Sequence, residues 1–139
     1  MKTAHVWILT LSVILLGAPN AYSADNDFAS FLAKFKAAVE HKDEKALTAM
    51  MASPFAFIRA ENVSPADVFR ALNADGGLQW QNLQKAAQNQ PVDYNAGKSA
   101  PGSKVLKCIP TEPVYNCLVI FTPDSKLGWR WKGMIMPPV

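Results

Sequence analysis

Residues 104–136, KVLKCIPTEPVYNCLVIFTPDSKLGWRWKGMIM, decide the fold because strand-forming segments alternate in them with turn-forming ones. Residues 104–109, 114–121 and 128–136 are rich in β-branched and aromatic side chains, which favour strands. Pro110 and Pro113 interrupt the first connection, and a Thr-Pro-Asp-Ser turn signal begins the second. The sequence therefore predicts three C-terminal antiparallel strands.

The alternation of side chains assigns a face to each residue of these strands, because side chains two residues apart point the same way. Placing Phe121 opposite Trp129 gathers the large aromatic side chains on one face. A one-residue slip would bring Arg130 and Lys132 onto that face, so burial favours the first register. The aromatic face then holds Leu106, Tyr115, Cys117, Val119, Phe121, Trp129, Trp131, Gly133 and Ile135. The opposite face holds Lys107, Asn116, Leu118, Ile120, Arg130, Lys132, Met134 and Met136.

Residues 1–23 have the pattern of a secretory signal peptide. A basic start is followed by the apolar run VWILTLSVILL and by small residues that end at Ser23. The run is shorter than the roughly 20 residues that span a bilayer, so we expect cleavage rather than a membrane anchor. This predicts a periplasmic or secreted protein with one domain, residues 24–139.

The cysteine count agrees with export. The chain has two cysteines, Cys108 and Cys117, and a disulfide is the expected state of such a pair outside the cytoplasm. A redox or metal role is disfavoured because the spacing is not CxxC and two sulfurs do not complete a zinc site. We therefore expect a structural disulfide, no metal and no cofactor.

The charge balance disfavours two classes of partner. Without Lys2, 13 of the 14 basic residues remain against 11 acidic residues, a formal charge of +2. A value so close to zero does not indicate binding to nucleic acid or to a membrane surface.

The residues before the strands predict helices. Phe28, Phe31, Leu32, Phe35, Ala38 and Val39 form the apolar stripe of an amphipathic helix. Asp43 and Ser64 are good N-caps for two further helices, with Pro65 at the first helical position. Residues 54–60 read as a strand, residues 78–90 as a helix with Trp80, Leu83 and Ala87 inward, and residues 91–103 as a loop. The predicted fold is α+β: N-terminal helices pack on one face of a curved antiparallel sheet whose last three strands are C-terminal.

This order of elements resembles the NTF2-like (cystatin-like, SnoaL-type cone) superfamily. The matching features are the helix FASFLAKFKAAV, a short helix that ends at Met50 and Met51, the strand PFAFIR, the helix SPADVFRAL and the final strand GWRWKGMIM. About four strands are readable here, fewer than is usual in that family. The resemblance implies a conical sheet, in a family of isomerases, dehydratases, hydrolases and non-enzymatic members. Fold alone does not choose among these functions.

The first functional hypothesis is an exported non-enzymatic binding or interaction domain. An apolar or aromatic small molecule would lie between helices and sheet, in a pocket formed by Trp80, Tyr115, Trp129, Trp131 and Arg59. The simpler alternative is that these tryptophans fill the core. The partner is then an unknown small molecule or protein.

The second hypothesis is a small NTF2-like lyase, isomerase or hydrolase. Asp93 and Tyr94 would act as an acid/base pair. Arg59 and Arg70 each follow apolar residues, so we expect them to be partly buried, and one of them would hold an anionic substrate. An Asx-type turn with a packed tyrosine is the simpler interpretation of Asp93 and Tyr94. His41, the one histidine after residue 23, lies in a charged segment that indicates a surface position.

A third possibility is a homodimer through the outer face of the sheet. Leu118, Ile120, Met134 and Met136 are apolar on the predicted outer face, and Arg130 and Lys132 interrupt them. A large exposed patch of this kind is usually covered by another surface.

Overall fold

The computed structural model describes residues 24–94, 100–111 and 117–136. In this part of the chain, four α-helices and a five-stranded sheet form an α+β fold, as predicted. No helix within these residues has the length and apolar character needed to cross a membrane. The helices are α1 (Ala24–Glu40), α2 (Glu44–Met50), α3 (Pro65–Asn73) and α4 (Leu78–Ala87). The strands are β1 (Met51–Ile58), β2 (Val92–Asp93), β3 (Lys104–Lys107), β4 (Leu118–Asp124) and β5 (Gly128–Ile135).

Local signals fix the helix ends. The Asp43 side chain accepts a hydrogen bond from the backbone N–H of Ala46 at the start of α2. Ser64 caps α3 in the same way through the N–H of Asp67, with Pro65 in the first turn. Both caps were predicted, because these side chains satisfy N–H groups that the first helical turn leaves unpaired. Residues 75–77 form a short 3₁₀ turn between α3 and α4.

The sheet is mixed rather than wholly antiparallel. Its strand order is β1-β5-β4-β3-β2, and β1 runs parallel to β5 while the other neighbours are antiparallel. A parallel pair needs a long crossover connection. Here the chain between β1 and β5 forms α3, α4, β2, β3 and β4. The loop predicted at residues 91–103 also contributes a strand, because Val92 and Asp93 pair with Val105 and Lys104.

The register of β4 and β5 differs from the predicted one. Phe121 lies opposite Trp131, and Pro123 lies opposite Trp129. This two-residue shift preserves the aromatic face, because the side-chain period of a strand is two. Ile120 then pairs with Gly133, so that Lys132 is an extra residue in β5.

This irregularity is a β-bulge, and it exchanges the faces of the residues that follow it. Met134 lies opposite Val119 and is fully buried in the aromatic core. Gly133 pairs with Ile120, a residue of the other face. Met136 also packs against this core. The predicted faces of Gly133, Met134, Ile135 and Met136 are therefore wrong, while those of Trp129 and Trp131 are correct.

The core lies between the inner face of the sheet and the helices. Phe121 packs against the rings of Phe28, Phe31 and Phe35, with the Phe35 centroid 4.9 Å away. Trp131 contacts the ring of Phe35 as well. Such edge-to-face pairs contribute about 0.5–1.5 kcal/mol each beyond the burial of apolar area. The prediction that the N-terminal helices pack on one face of the sheet is confirmed for α1, whose phenylalanine stripe lies on the aromatic face.

The predicted disulfide joins Cys108 and Cys117, whose Cα atoms are 5.1 Å apart. Both cysteines are buried in the main core, and the N–H of Cys108 donates to the carbonyl of Cys117. On the outer face, Val105, Leu118 and Ile120 form a smaller buried cluster with Tyr94 and Ile135 packed against it.

Candidate functional site

The tryptophans predicted to line a pocket lie in the packed core. Trp80, Trp129 and Trp131 are 1%, 8% and 0% exposed. The Trp80 indole N–H donates to the Asn73 side chain, and that of Trp131 donates to the carbonyl of Gly133. This burial fits the alternative in which the tryptophans fill the core. Tyr115 lies outside the described residues.

The two arginines predicted to be partly buried are exposed. Arg59 lies in the turn that follows β1. The Arg70 side chain is 77% exposed and forms an ion pair with Asp67 on the surface of α3, at 2.6 Å. Both arginine side chains are exposed to water, because the apolar residues next to them in sequence point toward the core and the arginines point away from it. The prediction of partial burial is wrong for both.

Asp93 and Tyr94 point away from each other because they are successive residues at the edge of the sheet. The Asp93 carboxylate is 75% exposed and forms an ion pair with Lys104 at 2.8 Å. Tyr94 packs against the outer apolar cluster. The structure therefore does not bring them together around a shared cavity.

Among the clefts of the described surface, three have volumes of several hundred Å³. The first has a volume of about 370 Å³ between α1 and α4, and the second, of about 380 Å³, lies between the end of α4 and β3. The third is larger, at about 530 Å³, and we call it the Lys132 cleft. Its lining residues are Ser53, Pro54, Phe55, Ala56, Glu61, Asn62 and Lys132. None of the three clefts has Asp93, Tyr94 or a tryptophan in its described lining.

Two irregularities of the sheet meet at Lys132 and shape this cleft. On one side, Lys132 is the bulge residue of β5 against β4. On the other side, the pairing of β1 with β5 passes from Met51 opposite Trp131 to Ala56 opposite Gly133. Residues 52–55 therefore leave the regular ladder next to Lys132. Bulges re-aim side chains and are common beside functional sites.

The lysine side chain is held in the space that these irregularities create. Its Nζ donates a hydrogen bond to the carbonyl of Pro54, at 2.8 Å. An ammonium group has three N–H donors. One contact therefore orients the group and leaves donors for a bound molecule.

Glu61 and Asn62 line the cleft from a tight turn after β1. Phe57 and Ala60 exchange two backbone hydrogen bonds of 2.9 and 3.0 Å, and Val63 N–H donates to the carbonyl of Phe55. Within this turn, Ile58 and Asn62 have φ values of 56° and 59°. A positive φ is a true outlier for a β-branched residue, and such backbone strain clusters at binding and active sites.

The cleft offers charged and hydrogen-bonding groups to a ligand. Lys132 supplies a cation and Glu61 a carboxylate, while Ser53 and Asn62 supply further polar groups. Pro54 and Ala56 contribute apolar surface to the lining. Within the described residues, the Ser53 hydroxyl has no hydrogen bond to Lys132 or Glu61, and no three metal-ligating side chains cluster.

Sequence reasoning missed this cleft, although one signal was present. Lys132 reads as a surface cation in a strand, yet Gly133 follows it directly. An isolated glycine within a strand pattern indicates a bulge or a close approach of another backbone. Both occur here, since Gly133 lies against Ala56 of β1.

Comparison of the chain with known protein families, with curated proteins and with solved structures finds no match.

Proposed function

We propose that this protein is an exported, non-enzymatic binding domain whose Lys132 cleft holds a small molecule with an anionic group and an apolar part. The observation that carries the proposal is the orientation of Lys132. Two irregularities of the sheet flank this residue, its side chain lines the largest of the three clefts, and its ammonium group donates to the carbonyl of Pro54. The volume falls within the range of roughly 300–1,000 Å³ that is usual for ligand sites.

The apolar part of the ligand would lie on Pro54 and Ala56. Burial of apolar area contributes about 25 cal/mol per Å², so a short aliphatic group adds affinity without needing a deep pocket. The anionic group would accept hydrogen bonds from Lys132, and hydrogen bonds between ionised groups are the stronger ones. The proposed ligand does not contact the tryptophans, because their side chains are packed in the core.

Export is the second part of the proposal. The pattern of residues 1–23 supports a cleaved signal peptide, and the Cys108–Cys117 disulfide supports a periplasmic or extracellular location. Membership of the NTF2-like superfamily stays a proposal that rests on the order of helices and strands. The lyase, isomerase or hydrolase alternative has less support, because the Asp93 carboxylate is exposed and paired with Lys104.

The proposal is tested by ligand-observed NMR with hexanoate, a carboxylate with a short aliphatic chain. We expect saturation transfer from the oxidised protein to hexanoate, and its loss in Lys132→Gln. Lys107→Gln is the matched control, because Lys107 is a partly exposed lysine of the same sheet that lines a different cleft. Equal transfer in the wild type and in Lys132→Gln would refute the site.

A further inference from the structure

We infer that the ligand of the Lys132 cleft is a zwitterion, whose carboxylate meets Lys132 and whose ammonium group meets Glu61. This inference rests on the proposed function and names the class of molecule that the same cleft recognises. It follows from the arrangement of charges around the cleft rather than from its size.

Glu61 is a charged group with an unused hydrogen-bonding capacity. It lines the cleft from the turn after β1. Within the described residues, the ion pairs are Arg70–Asp67 and Lys104–Asp93. Glu61 therefore lines the same cleft as Lys132 without forming an ion pair with it, and both groups remain available to a bound molecule.

Two opposite charges in one cleft select against ligands with a single charge. A molecule whose only charge is a carboxylate is attracted by Lys132 and repelled by Glu61. A molecule whose only charge is an ammonium group is attracted by Glu61 and repelled by Lys132. A zwitterion that spans the cleft in the correct orientation is attracted at both ends. Such discrimination by an unfavourable charge is a common source of specificity, and both effects are screened by salt.

The body of the zwitterion is aliphatic and uncharged. Besides the two charged groups, the lining offers Pro54 and Ala56 as apolar surface and Ser53 and Asn62 as hydrogen-bonding groups. Phe55, the aromatic residue in the lining, is only 2% exposed, so its ring is not available to stack on a ligand. An ω-amino acid with a short methylene chain has these features.

The experiment measures dissociation constants by NMR titration for glycine, β-alanine, 4-aminobutanoate, 5-aminopentanoate and 6-aminohexanoate. Each is compared with its N-acetyl derivative, which keeps the carboxylate and loses the positive charge. We expect affinity to peak at one chain length. At that length, N-acetylation should weaken binding about two- to fivefold, the range of exposed ion pairs.

Variants of Glu61 and Lys132 separate the contributions of the two charged groups to binding. Glu61→Gln should remove the preference for the free amine while leaving the N-acetyl derivative bound. Glu40→Gln is the matched control, because Glu40 is an exposed carboxylate that lines a different cleft. Equal affinity of free and N-acetylated compounds, both lost in Lys132→Gln, would overturn the zwitterion and leave the proposed function standing. Failure of every compound, hexanoate included, to bind would overturn both.

Discussion

Gly133 lies so close to β1 that the position has no room for a side chain. A Cβ at this residue would be 2.5 Å from the carbonyl oxygen of Ala56 and 3.1 Å from its Cβ. The nearer atom belongs to the backbone of a paired strand, so it cannot move aside easily. We expect Gly133→Ala to lower the free energy of unfolding by about 1–3 kcal/mol, the usual effect of overpacking.

Urea denaturation of the oxidised protein measures this change. Met134→Leu is the control, because it alters the adjacent buried side chain while conserving volume and should cost less than about 1.5 kcal/mol. If Gly133→Ala were as stable as the wild type, the pairing of Gly133 with Ala56 would be wrong.

The region around Gly133 shows which side-chain directions could be predicted from the sequence. The aromatic faces of Phe121, Trp129 and Trp131 follow from alternation alone. The bulge at Lys132 does not, because it depends on how β5 meets two neighbours at once, and one of these is the distant strand β1. Gly133 indicates an irregularity but not the direction in which Lys132 then points.

Asp124 stabilises the turn between β4 and β5 through its charge. Its Oδ1 accepts hydrogen bonds from the N–H groups of Leu127 and Lys126, both at 2.8 Å. These bonds, with a smaller contribution from the charge of Arg130, lower the pKa of Asp124 below its ordinary value of 3.8. Stability from a lowered carboxyl pKa is complete above that ordinary value and is lost as the pH falls through the folded-state pKa.

We therefore expect the Tm of Asp124→Asn to lie below that of the wild type at pH 7. The difference should shrink as the pH falls below 3.8, where the wild-type carboxylate becomes protonated. Asparagine keeps an oxygen acceptor, so this variant isolates the charge. Thermal unfolding followed by circular dichroism between pH 7 and pH 2.5 measures it, and a constant difference across this range would contradict the assignment.

At the scale of elements, the disulfide fixes the connection between β3 and β4. Cys108 and Cys117 are nine positions apart in sequence. Closing a loop of this length stabilises a folded chain by about 2–3 kcal/mol in the chain-entropy model. We expect the double variant Cys108→Ala, Cys117→Ala to lose about this much stability in urea denaturation.

Reduction of the wild type with dithiothreitol provides the comparison for this variant. The reduced wild type should lose a similar amount of stability, since both changes open the same loop. A double variant as stable as the oxidised wild type would show that the bridge does not constrain the unfolded chain.

Elements defined by local signals could be predicted, and those defined by distant partners could not. Asp43 and Ser64 mark their helices through bonds within one turn. The direction of β1 depends instead on β5, near the other end of the chain. Residues 92–93 form a strand only because Val105 and Lys104 lie beside them, so their own sequence indicates a loop.

For the whole molecule, every tryptophan after residue 23 lies in the core. Trp80, Trp129 and Trp131 are at most 8% exposed. We expect blue-shifted fluorescence that iodide quenches weakly in the native protein and strongly after unfolding in urea. Strong quenching of the native protein would instead place a tryptophan at the surface and revive the aromatic pocket.

The candidate site is a property of the whole fold, which explains why sequence reasoning did not find it. Ser53 and Glu61 come from the region around β1, whereas Lys132 comes from β5. They meet because these two strands are neighbours despite their distance in sequence. The predicted residues Asp93, Tyr94 and the tryptophans were chosen for their chemistry, and the fold uses them for an edge ion pair and for packing.

Binding of a small anionic molecule in the Lys132 cleft can be located residue by residue through chemical-shift mapping. The ¹⁵N-labelled, oxidised protein would be titrated with hexanoate while its backbone amides are followed. We predict progressive, saturable shifts at Ser53, Ala56, Glu61, Asn62 and Lys132, with the amides around Gln84 and Lys107 unchanged. Shifts confined to those other two clefts, or none at saturating hexanoate, would contradict the account.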